Sequence, residues 1–159
     1  MTYERKSKDD YYLNIAEAVL ARSTCLRRKY GAVIVKDDEI IATGYNGSPR
    51  GAKNCCDVGY CERDTKGIPH GERYEMCSSV HAEANAIISA SRQEMIGATL
   101  YLVGQEADST PITDAKPCYM CYRLILNAGI ATIVTPEGRK EVKPNEEYTI
   151  LPQEEEARA

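Results

Sequence analysis

The sequence predicts an α/β fold of three layers, with helices on both faces of a mixed sheet. Three observations carry that expectation. GAVIVK (31–36) and EIIATGY (39–45) are apolar, β-branched runs split only by Asp37 and Asp38, the pattern of a β-hairpin. ATLYLVG (98–104) and IATIVTP (130–136) are strand-like runs separated by a helical segment, and strand–helix–strand implies a parallel crossover. An antiparallel hairpin joined to parallel strands makes the sheet mixed.

The elements follow in order. In SKDDYYLNIAEAVLARST, Ser7 is placed to cap with Asp10 three residues on, and Tyr12, Ile15, Ala16 and Val19 fall on one stripe, so a first helix is expected there. The hairpin comes next. Residues 46–77 then hold Gly, Pro and Asn signals and four of the seven cysteines without clear periodicity, which reads as a surface excursion held by something other than its own core, such as a metal. A second helix is expected over residues 80–92, a strand at 98–104, a third helix over 118–128 and a strand at 130–136. The tail offers one short strand at 148–151 and an acidic end, 152–159, expected to fray. With 159 residues and no internal repeat, residues 1–159 are expected to form one domain.

Composition narrows the function classes. No apolar run approaches a membrane span and the N-terminal stretch has no signal-peptide core, so a cytoplasmic setting without membrane partners is expected. Seven cysteines, an odd number, favour metal ligation over a disulfide framework. A formal charge of −4 argues against a nucleic-acid surface, while local clusters such as Arg22, Arg27, Arg28 and Lys29 suit a small phosphorylated ligand.

The chemistry concentrates in SSVHAEANAI (78–87) and PCYMC (117–121). Glu83 sits among small and apolar neighbours, and a buried carboxylate is costly unless it is paired or reactive. His81 and Glu83, two residues apart, would diverge on a regular helix, so they converge only at the first turn, on a target ahead of the N-terminus. Cys118 and Cys121 share a face at the start of the third helix, where the dipole favours thiolate. One imidazole and two thiolates leave a fourth tetrahedral position open on zinc, as catalytic sites do. Zinc lowers the pKa of water there to about 7, and Glu83 is the carboxylate that moves its proton. H-x-E…P-C-x-x-C is the known signature of zinc nucleobase deaminases.

Taken together, KYGAVIVKDDEIIATGYNGSPRG (29–51), NCCD (54–57), VHAEANAI (80–87) and PCYMC (117–121) resemble the deoxycytidylate (dCMP) deaminases of the cytidine deaminase superfamily over about residues 8–135. The resemblance implies a five-stranded mixed sheet between helices and hydrolysis of dCMP to dUMP and ammonia, supplying thymidylate synthesis. It implies zinc on His81, Cys118 and Cys121, Glu83 as general acid and base, and Asn46 on the substrate sugar. It also implies a homo-oligomer, commonly a hexamer, with dCTP and dTTP as effectors near GYNGSPRG. Phage-type members resemble this chain in a cysteine ahead of the KxGAV strand and another in NCCD, which match Cys25 and Cys55 and there help hold a second, structural zinc. The family's remaining ligands have no clear match. Cys61 and Cys77 are expected to complete a four-thiolate site here, with Cys56 and His70 in reserve.

Substrate contacts are less determined. The backbone of Ala82 is a plausible base contact, and with no Phe or Trp in the chain any aromatic packing on the base falls to a tyrosine, Tyr119 or Tyr122 among them, or to a histidine. A 5′-phosphate requires charge-assisted donors. Arg27, Arg28, Lys29, Arg50 and Arg123 are nearest the motifs. Rival readings are another cytosine or purine deaminase, a tRNA adenosine deaminase, which the acidic chain disfavours, and a zinc-stabilised interaction module, which leaves Glu83 without a purpose.

Overall fold

The structure, a computed structural model, describes residues 2–144. Among the described residues five strands, β1 (Arg28–Lys36), β2 (Glu39–Tyr45), β3 (Thr99–Glu106), β4 (Thr132–Thr135) and β5 (Gly138–Glu141), form one sheet in the order β2-β1-β3-β4-β5. β1 (Arg28–Lys36) and β2 (Glu39–Tyr45) are the expected hairpin. Its two-residue turn places both Asp37 and Asp38 in the left-handed region, at φ 51° and 61°, which matches the twist of the flanking strands. β3 (Thr99–Glu106) runs antiparallel to β1 and parallel to β4 (Thr132–Thr135), so the sheet is mixed.

Alternation along the central strands sorts the side chains between two cores. Val33 and Val35 of β1 and Tyr101 and Val103 of β3 pack with Tyr12, Ala16 and Leu20 of α1 (Lys8–Leu20) on one face. Ala32, Ile34, Leu100 and Leu102 pack on the other with Ala82 and Ala86 of α4 (Ala82–Ile88) and Tyr122, Ile125 and Ala128 of α6 (Tyr119–Ala128). This is the three-layer arrangement expected. Ser7 caps α1, its Oγ accepting from Asp10 N–H at 3.1 Å.

Two glycines set how closely the helices approach the hairpin. A Cβ on Gly31 would collide with the backbone of α1 at Ala16, and one on Gly44 with the carbonyl of Ala82 and the amide of Ala86. Asn85 adds a tether, its Nδ2 donating to the carbonyl of Tyr45 at 2.8 Å.

One expectation needs correction. The helix expected over 80–92 is two: α4 ends at Ile88, and Ser91 starts α5 (Arg92–Met95) with a capping box to Glu94. Val80 lies outside α4, paired with Gly47 by hydrogen bonds of 3.2 and 2.7 Å that clip the base of the cysteine-rich insert. The fifth strand is β5 (Gly138–Glu141), paired with β4 in a polar, exposed segment that shows no apolar alternation. The strand expected at 148–151 and the acidic end at 152–159 lie outside the described residues.

The insert is not featureless. It contains two single-turn helices, α2 (Cys55–Val58) and α3 (Glu62–Thr65), and a 3-10 turn at Tyr74–Met76.

Candidate active site

His81 and Cys118 are the N-cap residues of α4 and α6, with extended backbone at both; Cys118 Sγ accepts from Cys121 N–H at 3.5 Å, while the His81 side chain makes no cap bond. His81 Nδ1 lies 3.4 Å from the sulfurs of both Cys118 and Cys121. Among the described residues these three form the one group of possible metal ligands whose donor atoms all lie within 4.8 Å of one another. A borderline-soft divalent cation with tetrahedral preference fits this donor set, and one imidazole with two thiols matches zinc.

The electrostatics agree with a site arranged to hold charge. The Cys121 thiol and the His81 imidazole beside it hold Cys118 well below the ordinary thiol range, while Cys121 is pushed up by Cys118, so the pair shares one proton. His81 is raised mainly by its contact with Cys118, against the effect of burial. Glu83, in the first turn of α4, is only 4 % exposed. Burial raises its carboxyl above the usual carboxylate range and His81 opposes that rise.

These groups line a cavity of about 770 Å³. Ala82, fully buried, and Asn46 lie on its wall. Asn46 is largely committed to the protein: its Oδ1 accepts from Ser23 Oγ and from Tyr30 N–H at 2.8 Å, and its Nδ2 donates to the Arg28 carbonyl at 2.8 Å. One amide hydrogen is left for a ligand.

Tyr119 lines the cavity; Tyr122, 1 % exposed, does not. Tyr122 is a core residue whose hydroxyl exchanges hydrogen bonds with the backbone of Lys143 at 3.0 and 3.1 Å. Arg27 and Arg28 line the wall, whereas Arg50, Lys29 and Arg123 do not. Arg50 follows Pro49 in an exposed turn, and Arg123 lies on the outer side of α6, opposite buried Tyr122 and Ile125. Sequence reasoning missed Arg63 and Tyr74 and placed His70 only as a reserve metal ligand; all three are on the wall and all in the insert. With no periodic pattern there, nothing in the sequence marks which side the insert turns inward.

Cys25, Cys55, Cys61 and Cys77 also reach the cavity. Burial first, and then each of the other three thiols, pushes Cys55 up, so the four are electrostatic neighbours. Backbone amides of Arg27 and Ser79 donate to the sulfurs of Cys25 and Cys77, each at 3.4 Å. Cys56 is exposed.

Residues 6–137 match the model of the cytidine and deoxycytidylate deaminase zinc-binding region. The chain belongs to that deaminase family. A deoxycytidylate deaminase of Mycobacterium phage D29 is 41 % identical over 138 residues, covering 84 % of this chain and 97 % of the phage protein. One from Schizosaccharomyces pombe is 38 % identical across 82 % of this chain but only 37 % of the yeast protein, so this member spans little more than a third of that relative. Among solved structures, dCMP deaminase of the cyanophage S-TIM5, crystallised with dCMP and dUMP, superposes with a TM-score of 0.57 at 25 % identity, covering 84 % of this chain and 83 % of that one. The family's zinc-binding region encloses His81, Cys118 and Cys121 in this member. No helix among the described residues is long and apolar enough to cross a membrane.

Proposed function

We propose that this chain is a zinc-dependent hydrolase that deaminates dCMP to dUMP and ammonia. One observation carries the reading: a fully enclosed carboxylate, Glu83, beside a His81–Cys118–Cys121 ligand set in a cavity wide enough for a nucleotide. Zinc held by those three residues would supply the Lewis acidity that makes water nucleophilic near neutral pH. The proton work belongs to Glu83. It takes a proton from the attacking water and delivers it to ring N3 as C4 becomes tetrahedral. It then protonates the departing amine, which leaves as ammonia. A carboxyl raised by burial gives and accepts protons near neutral pH more readily than an exposed one. Ala82 and Asn46 hold the base and sugar from the wall.

Cys25, Cys55, Cys61 and Cys77 are proposed to bind a second, structural zinc that fixes the insert; their shared position on the cavity wall and the amides donating to sulfur support this, and binding would draw together sulfurs that do not lie within 4.8 Å of one another here. Resemblance supports a homo-oligomer, in the family commonly a hexamer, responsive to dCTP and dTTP, in a cytoplasmic setting. Exposed Ile88, Met120 and Leu124 on α4 and α6 suit contact between copies.

Ammonia release measured in parallel from dCMP, deoxycytidine, dCTP and a tRNA anticodon stem tests the reading. Turnover fastest on dCMP is the expected result; fastest turnover on either the nucleoside or the RNA overturns it.

A further inference from the structure

Arg63 has a charge that the described residues leave uncompensated. It is 6 % exposed, yet among the described residues no carboxylate meets its guanidinium. One Nη2 hydrogen goes to the carbonyl of Pro69 at 3.1 Å, and Nε is buried without a partner. Its two arginine neighbours on the wall differ. Arg28 is engaged by Glu106 at 3.0 Å and by His70 Nε2 at 3.0 Å. Arg27 pairs through Nε with Asp64 at 3.0 Å but leaves Nη1 buried and unpartnered. Three guanidinium groups therefore share two carboxylates in a cavity wall, and a buried cation without a partner is strongly disfavoured. The face of Tyr74, 4.8 Å from the Arg63 guanidinium carbon, compensates only in part.

Position identifies the missing partner. Tyr74 stands edge-on to His81 with ring centroids 5.0 Å apart, and Arg63 lies on the ring face of the same tyrosine. The unsatisfied Arg63 donor is thus one aromatic ring removed from the histidine of the metal-ligand set. A nucleotide whose base is at that set carries its phosphate one sugar away, with oxygens that accept several charge-assisted hydrogen bonds.

We propose that Arg63, presented by the cysteine-rich insert, is the residue that recognises the 5′-phosphate of the substrate, with the free Nη1 of Arg27 as a second donor. This rests on the reading of a nucleoside monophosphate substrate. It also gives the insert a role in selectivity: the segment clipped at Gly47 and Val80 and gathered by its cysteines delivers the phosphate donor.

The test compares wild type, Arg63→Gln and Arg63→Lys by three measurements: kcat/KM for dCMP and deoxycytidine, calorimetric affinity for dUMP and deoxyuridine, and zinc content. Arg63→Gln is expected to lower the dCMP-to-deoxycytidine ratio by about 30-fold or more and to weaken dUMP far more than deoxyuridine, the usual scale for removing one partner of a buried charged contact. Arg63→Lys, which keeps the charge but not the planar fork, falls between. A wild type that prefers dCMP while both variants keep its ratio overturns the assignment of Arg63 alone. Equal loss on both substrates, with lowered zinc content, overturns it in favour of a purely supporting role for the cysteine cluster, as does failure of both variants to fold. A wild type that prefers deoxycytidine overturns the monophosphate reading and this inference with it.

Discussion

His81 and Cys118 occupy the same position, the N-cap, on two different helices, and their Nδ1 and Sγ atoms meet 3.4 Å apart. Two helix starts are thereby aimed at one point, and Glu83, one turn inside α4, is brought beside it without itself being needed as a ligand.

Removing the proposed proton carrier separates chemistry from metal binding. Glu83→Gln is expected to keep zinc, measured by atomic emission, and to lose about 10²–10⁴-fold in kcat on dCMP. Turnover near that of wild type would show that another group moves the protons.

Metal counting checks the cysteine cluster. Two zinc ions per chain are expected, falling to about one in Cys61→Ser with a thermal midpoint lower by roughly 5 °C or more, as loss of a structural metal predicts. One zinc in the wild type would remove the second site.

Gly44 tests how the site is positioned. Gly44→Ala places a methyl against the backbone at Ala82 and Ala86. Helix α4 must move away from β2, at a cost of about 1–3 kcal/mol in urea unfolding. His81 and Glu83 move with it, so kcat/KM is expected to fall by about 10²-fold. Full activity with unchanged stability would show that the contact is not limiting.

The edge strand has its own pH signature. Arg139 of β5 donates to both oxygens of Asp9 on α1 at 2.6 and 2.8 Å, and Tyr101 donates to Oδ1 at 3.0 Å. Arg139, the largest cause, holds the Asp9 carboxyl below its ordinary value. A carboxyl lowered by folding stabilises the fold above its unfolded pKa, and that contribution is lost as pH falls through the lowered value. Asp9→Asn is therefore expected to cost about 0.5–1 kcal/mol at pH 7, a small figure because the pair is partly solvated, and less at pH 3. A cost that does not change between those pH values would assign it to packing.

Local pattern was enough to mark the candidate site and the layering. HAE and PCxxC point to His81, Cys118 and Cys121 as the candidate ligand set and to Glu83 beside it, because few other roles need those residue types at helix starts, and the alternation in GAVIVK and ATLYLVG sorts Val33 from Ile34 and Tyr101 from Leu100 onto opposite faces. It could not show β5, since GRKE has no apolar alternation and depends on pairing with β4 and on Arg139 meeting Asp9. Nor could it end α4 at Ile88, because every residue from 82 to 92 tolerates a helix and only the capping box at Ser91 breaks it. The wall of the cavity was decided wholly in three dimensions. Arg50 and Arg123 are near the motifs along the chain and face outward, while Arg63, in a segment without periodicity, is turned in beneath Tyr74. Local pattern determines which residues can do chemistry; which charges end up beside them depends on how a loop clipped at Gly47 and Val80 packs back over the sheet, and that is set by contacts distant in sequence.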